Sequence, residues 1–369
     1  MHIPDGYLSP SSCAILYGGA VPFWGIGLRR VGKHFQTRRV PLISVFAAFS
    51  FVIMMFNLPI PGGTTAHAVG VGIATIVVGP WASMLAISVA IFIQAVFFGD
   101  GGITTFGANS FNMAIIGSLV AYIAYRIIAR RSAITSSRRV VAAALAGYLA
   151  INASALCAAI ELGLQPRFFK DATGAPLYAP YPLSIAVPAM MIAHLTFAGL
   201  GELVISGGVV AYLQRADPSL LRLTAPGVPA YEKKESRSGW SATRPLWLAT
   251  ALLMVLTPLG ILAAGKAWGE WNVHDFSNPA TRRKIAAVSG NATPPRRAPQ
   301  GLRHLSSVWT APFPNYAPSF VRRPAFGYFL SAVFGTGVIF LLALLLSRPA
   351  RRKTYEEEEA VMKAHTGGT

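Results

Sequence analysis

From Ala66 to Phe98 the chain runs for thirty-three residues without one Asp, Glu, Lys or Arg. No soluble fold of ordinary size buries so long a charge-free run, and a membrane-crossing helix needs only about 20 apolar residues. The run therefore holds two membrane segments. Gly79-Pro80 divides it near the middle, because proline breaks a helix, into about 67–79 and 81–98. Similar stretches lie at about 11–28, 41–58, 110–128, 140–161, 183–213, 246–264 and 326–347. The expected fold class is all-α: a polytopic membrane helix bundle with a seven-span core and two further C-terminal spans.

Composition agrees. Of 369 residues, 53% are hydrophobic and 12% charged, against about 25% charged in soluble domains. A water-soluble multidomain enzyme, a disordered chain and a collagen-like chain are excluded. The net charge of +18 reads as topology. No basic run is interleaved with aromatics in the way nucleic-acid binding requires, so no nucleic-acid partner is expected. The segments 29–39, 126–139, 214–245 and 348–369 alternate onto one face and hold 21 of the 32 Lys and Arg. Lys and Arg collect in cytoplasmic loops. The N-terminus is thus expected outside and the C-terminus in the cytoplasm, in a multi-pass protein of a prokaryotic inner membrane, with the lipid bilayer as a partner. The expected domains are a core at 1–213, a cytoplasmic linker at 214–245, a two-span appendage at 246–347 with an extracytoplasmic loop at 265–325, and a cytoplasmic tail at 348–369, disordered beyond its first turns.

Cys13 and Cys157 stand apart in apolar surroundings and make neither a CxxC site nor a disulfide framework. The start, Met1-His2-Ile3-Pro4-Asp5-Gly6, has no basic n-region of a signal peptide, and bulky His2 protects the initiator Met from removal. No P-loop, HExxH or GxSxG is present, so no ATP hydrolysis and no catalytic residues are expected in this chain.

On the outer face three segments meet: the N-terminus, PGGTTAH (61–67) and GDGGITTFGAN (99–109). A free amine followed by Xaa-His is a ready chelator. The amine of Met1, the amide nitrogen of His2 and the imidazole of His2 close a five- and a six-membered ring on one metal. His67 is the obvious fourth nitrogen. Four nitrogens in a plane suit Ni(II) or Cu(II), and Co(II) less strictly. A histidine at position 2 also occurs in an unstructured terminus, and His67 fits a helix end.

Polar side chains at membrane depth default to functional hypotheses. Thr64, Thr65 and Asp100 are candidates to orient the metal-bound histidines, and Asn109 and Asn112 to do so or to brace the loop. His194 with Glu202 reads as structural. Small residues every fourth position (Ala142, Ala146, Ala150, Ser154, Ala158) allow close helix approach, within the chain or to a partner.

MHIPDGYLSP (1–10), PGGTTAHAVG (61–70) and FFGDGGITTFGANSFNM (97–113) resemble the substrate-binding membrane component of nickel/cobalt energy-coupling-factor transporters, the CbiM/NikM type. The resemblance covers about residues 1–213. AGKAWGEWN (264–272) and LSSVWTAPFPNY (305–316) are similar to the small two-span component that some members carry fused. The chain departs from the family at Ala66, where Gly or Ser is frequent, and in the Arg- and Pro-rich 265–325. The resemblance implies Met1, His2 and His67 as the metal donors. It also implies uptake of Ni(II) or Co(II), the latter for cobalamin biosynthesis, with no organic cofactor. The partners implied are a coupling transmembrane protein and two cytoplasmic ATPase subunits. A metal sensor or a membrane-embedded metalloenzyme uncoupled from transport is the alternative.

Overall fold

The computed structural model describes residues 1–32, 40–60, 63–228, 240–263, 273–288 and 294–366. Parts of the basic loop 29–39, of PGGTTAHAVG, of the linker and of the tail, and all of AGKAWGEWN, lie outside the described residues.

Residues 1–9 precede the first helix, α1 (Pro10–Gly32). Ser9 begins it: its hydroxyl accepts from the Ser12 amide at 3.0 Å and Pro10, with no amide hydrogen to satisfy, takes the first helical position. α2 (Val40–Met54) follows. A two-residue ribbon, β1 (Leu58–Pro59) and β2 (Thr65–Ala66), pairs Leu58 with Ala66 and Pro59 with Thr65, antiparallel. α3 is only Val71–Val78. Its ends are set by Gly70 at φ +73° and Gly79 at φ +83°, conformations that favour glycine, with Pro80 opening the next helix. The break expected at Gly79-Pro80 is present, and the third segment is shorter than a span.

Four long helices complete this part: α4 (Pro80–Phe98), α5 (Phe106–Ala129), α6 (Ser137–Phe168) and α7 (Leu183–Ala216). Three carry a π-turn: Gln94–Phe98 in α4, Ser110–Ile116 in α5 and His194–Ala198 in α7. Such turns gather at functional sites. The small-residue row of α6 is fully buried and packs inside the molecule. A Cβ on Gly147 would strike Ser206 of α7, and one on Gly72 would strike Gly147, so the three helices touch nearly backbone to backbone.

The expected linker is partly core. Asp217 caps a 3-10 turn, Pro218–Thr224, whose Leu221 is buried and whose Thr224 hydroxyl donates to Ile76 O at 2.8 Å. Beyond it come α8 (Trp240–Leu256), α9 (Val273–Ser277), α10 (Pro279–Val288), α11 (Gln300–Leu305) and α12 (Pro324–Thr366). α12 lies against α2, where a Cβ on Gly335 would overlap the Phe51 ring. It runs on through the tail that was expected to be disordered. The Arg, Lys, Glu and Ala of 349–364 are strong helix formers.

Among the described residues six helices are long and apolar enough to cross a membrane: α1, α4, α5, α6, α7 and the Pro324–Leu345 part of α12. Two shorter apolar helices, Pro41–Met54 and Trp247–Gly260, accompany them. The chain is a polytopic helical membrane protein. Large apolar side chains such as Ile15, Ile127, Phe197 and Val204 face outward, while Glu202, His194 and Arg139 are fully buried.

Candidate metal centre

Residues 1–9 do not trail from α1 but plug into the bundle. Met1, His2, Ile3, Tyr7, Leu8 and Ser9 are all buried. A burial this complete needs each backbone polar group matched, and the loop after α4 does much of it. Ile3 N–H donates to Asn109 Oδ1 at 2.8 Å. Ile3 C=O accepts from Asn109 Nδ2 at 3.0 Å, from Gly102 N–H at 3.0 Å and from the Thr105 hydroxyl. Asp5 reaches back, accepting from the amides of Ile103 (3.1 Å) and Thr104 (2.8 Å) and from the Thr104 hydroxyl. The glycines of this loop permit the approach. A Cβ on Gly102 would fall on Asp5, and Gly101, at φ +81°, lies between Asn109 and His2. The Gln165 side chain accepts from Ser9 N–H at 3.0 Å, and Ala179 N–H donates to Tyr7 O at 3.1 Å.

The second wall is the ribbon. The Met1 amine donates to Thr65 Oγ1 at 2.7 Å and to Thr65 O. The Thr64 hydroxyl donates to His2 O. One residue beyond the ribbon stands His67, 2% exposed. Its ring and that of His2 lie with centroids 4.8 Å apart at an interplanar angle of 23°. The backbone leaving His67 is pinned by Glu202 of α7, whose Oε2 accepts from Val69 N–H (2.9 Å) and Gly70 N–H (2.8 Å) and whose Oε1 accepts from Gly72 N–H (3.0 Å).

Burial pushes the His2 imidazole down to about 4, against a partial rise from Asp100 and a further lowering by the terminal amine. The ring is therefore neutral and carries a free lone pair at ordinary pH. His2 Nδ1 lies 3.2 Å from Asp100 Oδ1. Nε2 of His2 and of His67 are buried and make no hydrogen bond. So is Nε2 of His194, whose Nδ1 is paired with Met190 O at 2.8 Å. Buried polar atoms without a partner are rare and call for a ligand. Among the described residues no group of three or more His, Cys, Asp or Glu side chains gathers.

The structure thus brings together six of the eight residues singled out above: Met1, His2, His67, Thr64, Thr65 and Asp100. Asn109 braces Ile3, one residue from the donors. Asn112 points elsewhere, donating to Glu161 Oε2 at 2.8 Å. Glu202, read as structural with His194, clamps the start of α3, while His194 pairs with Met190 O. Sequence reasoning missed Asp5, Thr105, Met190, whose sulfur accepts from Thr64 N–H at 3.4 Å, and Tyr316. Asp5 sits in the fifth position of the N-terminal motif and was the one a local reading had within reach.

Residues 2–220 match the family model for CbiM, the cobalt uptake substrate-specific transmembrane region, and residues 244–352 match the PDGLE domain. The chain is 53% identical over 340 residues to the fused nickel transport protein NikMN of Rhodobacter capsulatus, covering 92% of this chain and 95% of that one. It is 41% identical to the probable fused nickel transport protein LarMN of Lactiplantibacillus plantarum, covering 94% and 96%. A crystal structure of a truncated transition metal transporter superposes with a TM-score of 0.56 at 51% identity, covering 58% of this chain and 99% of that one. The match over residues 2–220 and 53% identity across nearly the whole of a relative make the chain a member of the CbiM family, a transport component of the energy-coupling-factor type rather than an enzyme, with a PDGLE domain fused behind it.

Proposed function

We propose that the chain captures divalent nickel at a four-nitrogen site and carries it through an ATP-driven energy-coupling-factor transporter. The donors are the amine of Met1, the amide nitrogen and Nδ1 of His2, and the imidazole of His67. The observation that carries this reading is the burial of those residues against one another, with Nε2 of His67 left unpaired and the two rings 4.8 Å apart. With metal–nitrogen bonds of about 2.0 Å, imidazoles on adjacent corners of one metal have centroids about 4.5 Å apart. The five- and six-membered chelate rings need no backbone movement beyond residues 1 and 2, since they are formed within one dipeptide.

A plane of four nitrogens that includes an amide favours Ni(II), and two relatives bear nickel in their names. The family description names cobalt, which makes Co(II) the second reading. Irving–Williams order places Ni(II) above Co(II) at such a site. Thr65, Thr64 and Asn109 hold the arm in place, and Asp100 stands beside His2. The N-terminal end faces outward, as the basic loops on the opposite face indicate. Residues 1–213 form the metal-binding part and 246–347 the appendage. ATP is hydrolysed by two cytoplasmic partners joined through a coupling membrane protein.

The test is Ni(II) binding and uptake by three forms of the full chain: wild type, His67→Ala, and a form with one residue added before Met1. The two altered forms lose binding and uptake. Undiminished binding by either overturns the reading. Competition of Ni(II) against Co(II) on the purified protein separates the two metals.

A further inference from the structure

The PDGLE part of the chain reaches Asp100, beside His2, through Tyr316. Tyr316 lies 216 residues from Asp100 in sequence, is 2% exposed, and donates from its hydroxyl to Asp100 Oδ2 at 2.6 Å. Gln94 Nε2 donates to that hydroxyl at 2.9 Å. The Tyr316 ring stacks on Phe98 with centroids 4.8 Å apart at 26°, and Ser331 of α12 donates to its carbonyl at 3.0 Å. Two neighbouring contacts lay the same stretch along the end of α4: Phe313 N–H to Phe97 O at 2.9 Å and Trp309 Nε1 to Val96 O at 2.8 Å. Asn315 and Tyr316 both hold positive φ, +54° and +58°, which side chains avoid unless their surroundings insist.

The carboxylate is divided between two tasks. Oδ2 takes the Tyr316 hydroxyl and Asn57 Nδ2, the latter at 3.1 Å. Oδ1 is left for His2 Nδ1 at 3.2 Å, the nitrogen that closes the six-membered chelate ring. Of the other donors the amide nitrogen binds only once deprotonated and so brings one negative charge, the amine and imidazoles bring none, and a dication in a dry pocket needs a second. Asp100 is the carboxylate placed to supply it.

We propose that Tyr316 is a positioning residue of the metal centre: by fixing Asp100 Oδ2 it keeps Oδ1 on the chelating side of His2, so that the fused second domain completes the site of the first. This rests on the four-nitrogen reading above. It assigns the LSSVWTAPFPNY segment a task in metal retention that its own composition, with no acidic residue, does not announce.

The experiment is Ni(II) titration of the purified full chain against a competing chelator, with the ligand-field absorption of the bound ion recorded. The forms compared are wild type, Tyr316→Phe, Asp100→Asn, the double variant, Trp309→Phe and His67→Ala. Tyr316→Phe keeps the stack on Phe98 and removes only the hydroxyl. It weakens Ni(II) binding about tenfold, the low end for partners that orient metal ligands, and shifts the absorption band. Asp100→Asn does at least as much, and the double variant is no weaker than Asp100→Asn alone, as expected for residues acting through one another. Trp309→Phe, which loosens the same stretch without touching Asp100, binds as wild type. The proposal is overturned if His67→Ala loses binding while Tyr316→Phe binds as wild type, if the two single effects multiply, or if Trp309→Phe reproduces Tyr316→Phe. Wild-type binding by His67→Ala instead removes the four-nitrogen reading itself, and this proposal with it.

Discussion

His2 and His67 stand 4.8 Å apart, ring to ring, yet they are held by different means. His67 is held through its backbone. Three amides around the start of α3, those of Val69, Gly70 and Gly72, point at one buried carboxylate, Glu202, so the residue inherits the rigidity of a packed helix junction. His2 has no helix behind it. It is held by side chains borrowed from elsewhere: Thr64 on its carbonyl, Thr65 on the preceding amine and Asn109 on the following amide. One histidine is part of the scaffold and the other sits on a docked arm. Losing a clamp on the scaffold should therefore unsettle the protein. Losing one on the arm should unsettle mainly the site.

The largest expected effect is on the scaffold side. Glu202→Ala leaves the amides of Val69, Gly70 and Gly72 buried without an acceptor, at about 1–3 kcal/mol each. Thermal unfolding in detergent should show a midpoint lowered by many degrees, with Ni(II) binding lost in parallel. Bound metal should act in the opposite sense. At a hundredfold excess over Kd a ligand specific to the folded state adds about 2.7 kcal/mol, so Ni(II) should raise the midpoint of wild type and leave that of His67→Ala unmoved. Asn109→Ala leaves Ile3 N–H without its acceptor, while Ile3 O keeps Gly102 N–H and the Thr105 hydroxyl. Its midpoint should drop by an amount equivalent to about 1 kcal/mol, while metal affinity falls about tenfold, more than the stability change alone conveys. Thr64→Val removes a single hydrogen bond to His2 O. A few-fold faster release of Ni(II) in a chelator-chase measurement, with unfolding unchanged, is the expected result. If Asn109→Ala destabilises the protein as much as Glu202→Ala, the contrast between arm and scaffold is wrong.

The contrast also marks what the sequence could reveal. Donor chemistry is local: an amine, an amide and an imidazole within two residues make a chelator wherever they occur, and His67 was within reach because PGGTTAH carries no competing donor. The helical membrane class and the break at Gly79-Pro80 were legible for the same reason, since apolar runs and proline act on their own neighbourhood; the nine expected spans were not, since six helices among the described residues reach span length. What holds the arm was not legible. Asn109 binds Ile3 across 106 positions and Tyr316 binds Asp100 across 216, and no periodicity records such pairings. Arg139 shows the opposite error. Counted among the topological charges of 126–139, it is fully buried, with its guanidinium on Ser132 O, Ala133 O and the Tyr125 hydroxyl. A sequence gives its charge but not that the charge is already spoken for.

The buried N-terminus has one more consequence, in the order of synthesis. Met1, His2 and Ile3 are made well before residues 64, 65, 105 and 109, which carry the groups that seat them. Closing loops of that length is slow compared with local helix formation. These three early residues are thus placed late, once the ribbon and the glycine loop have been made.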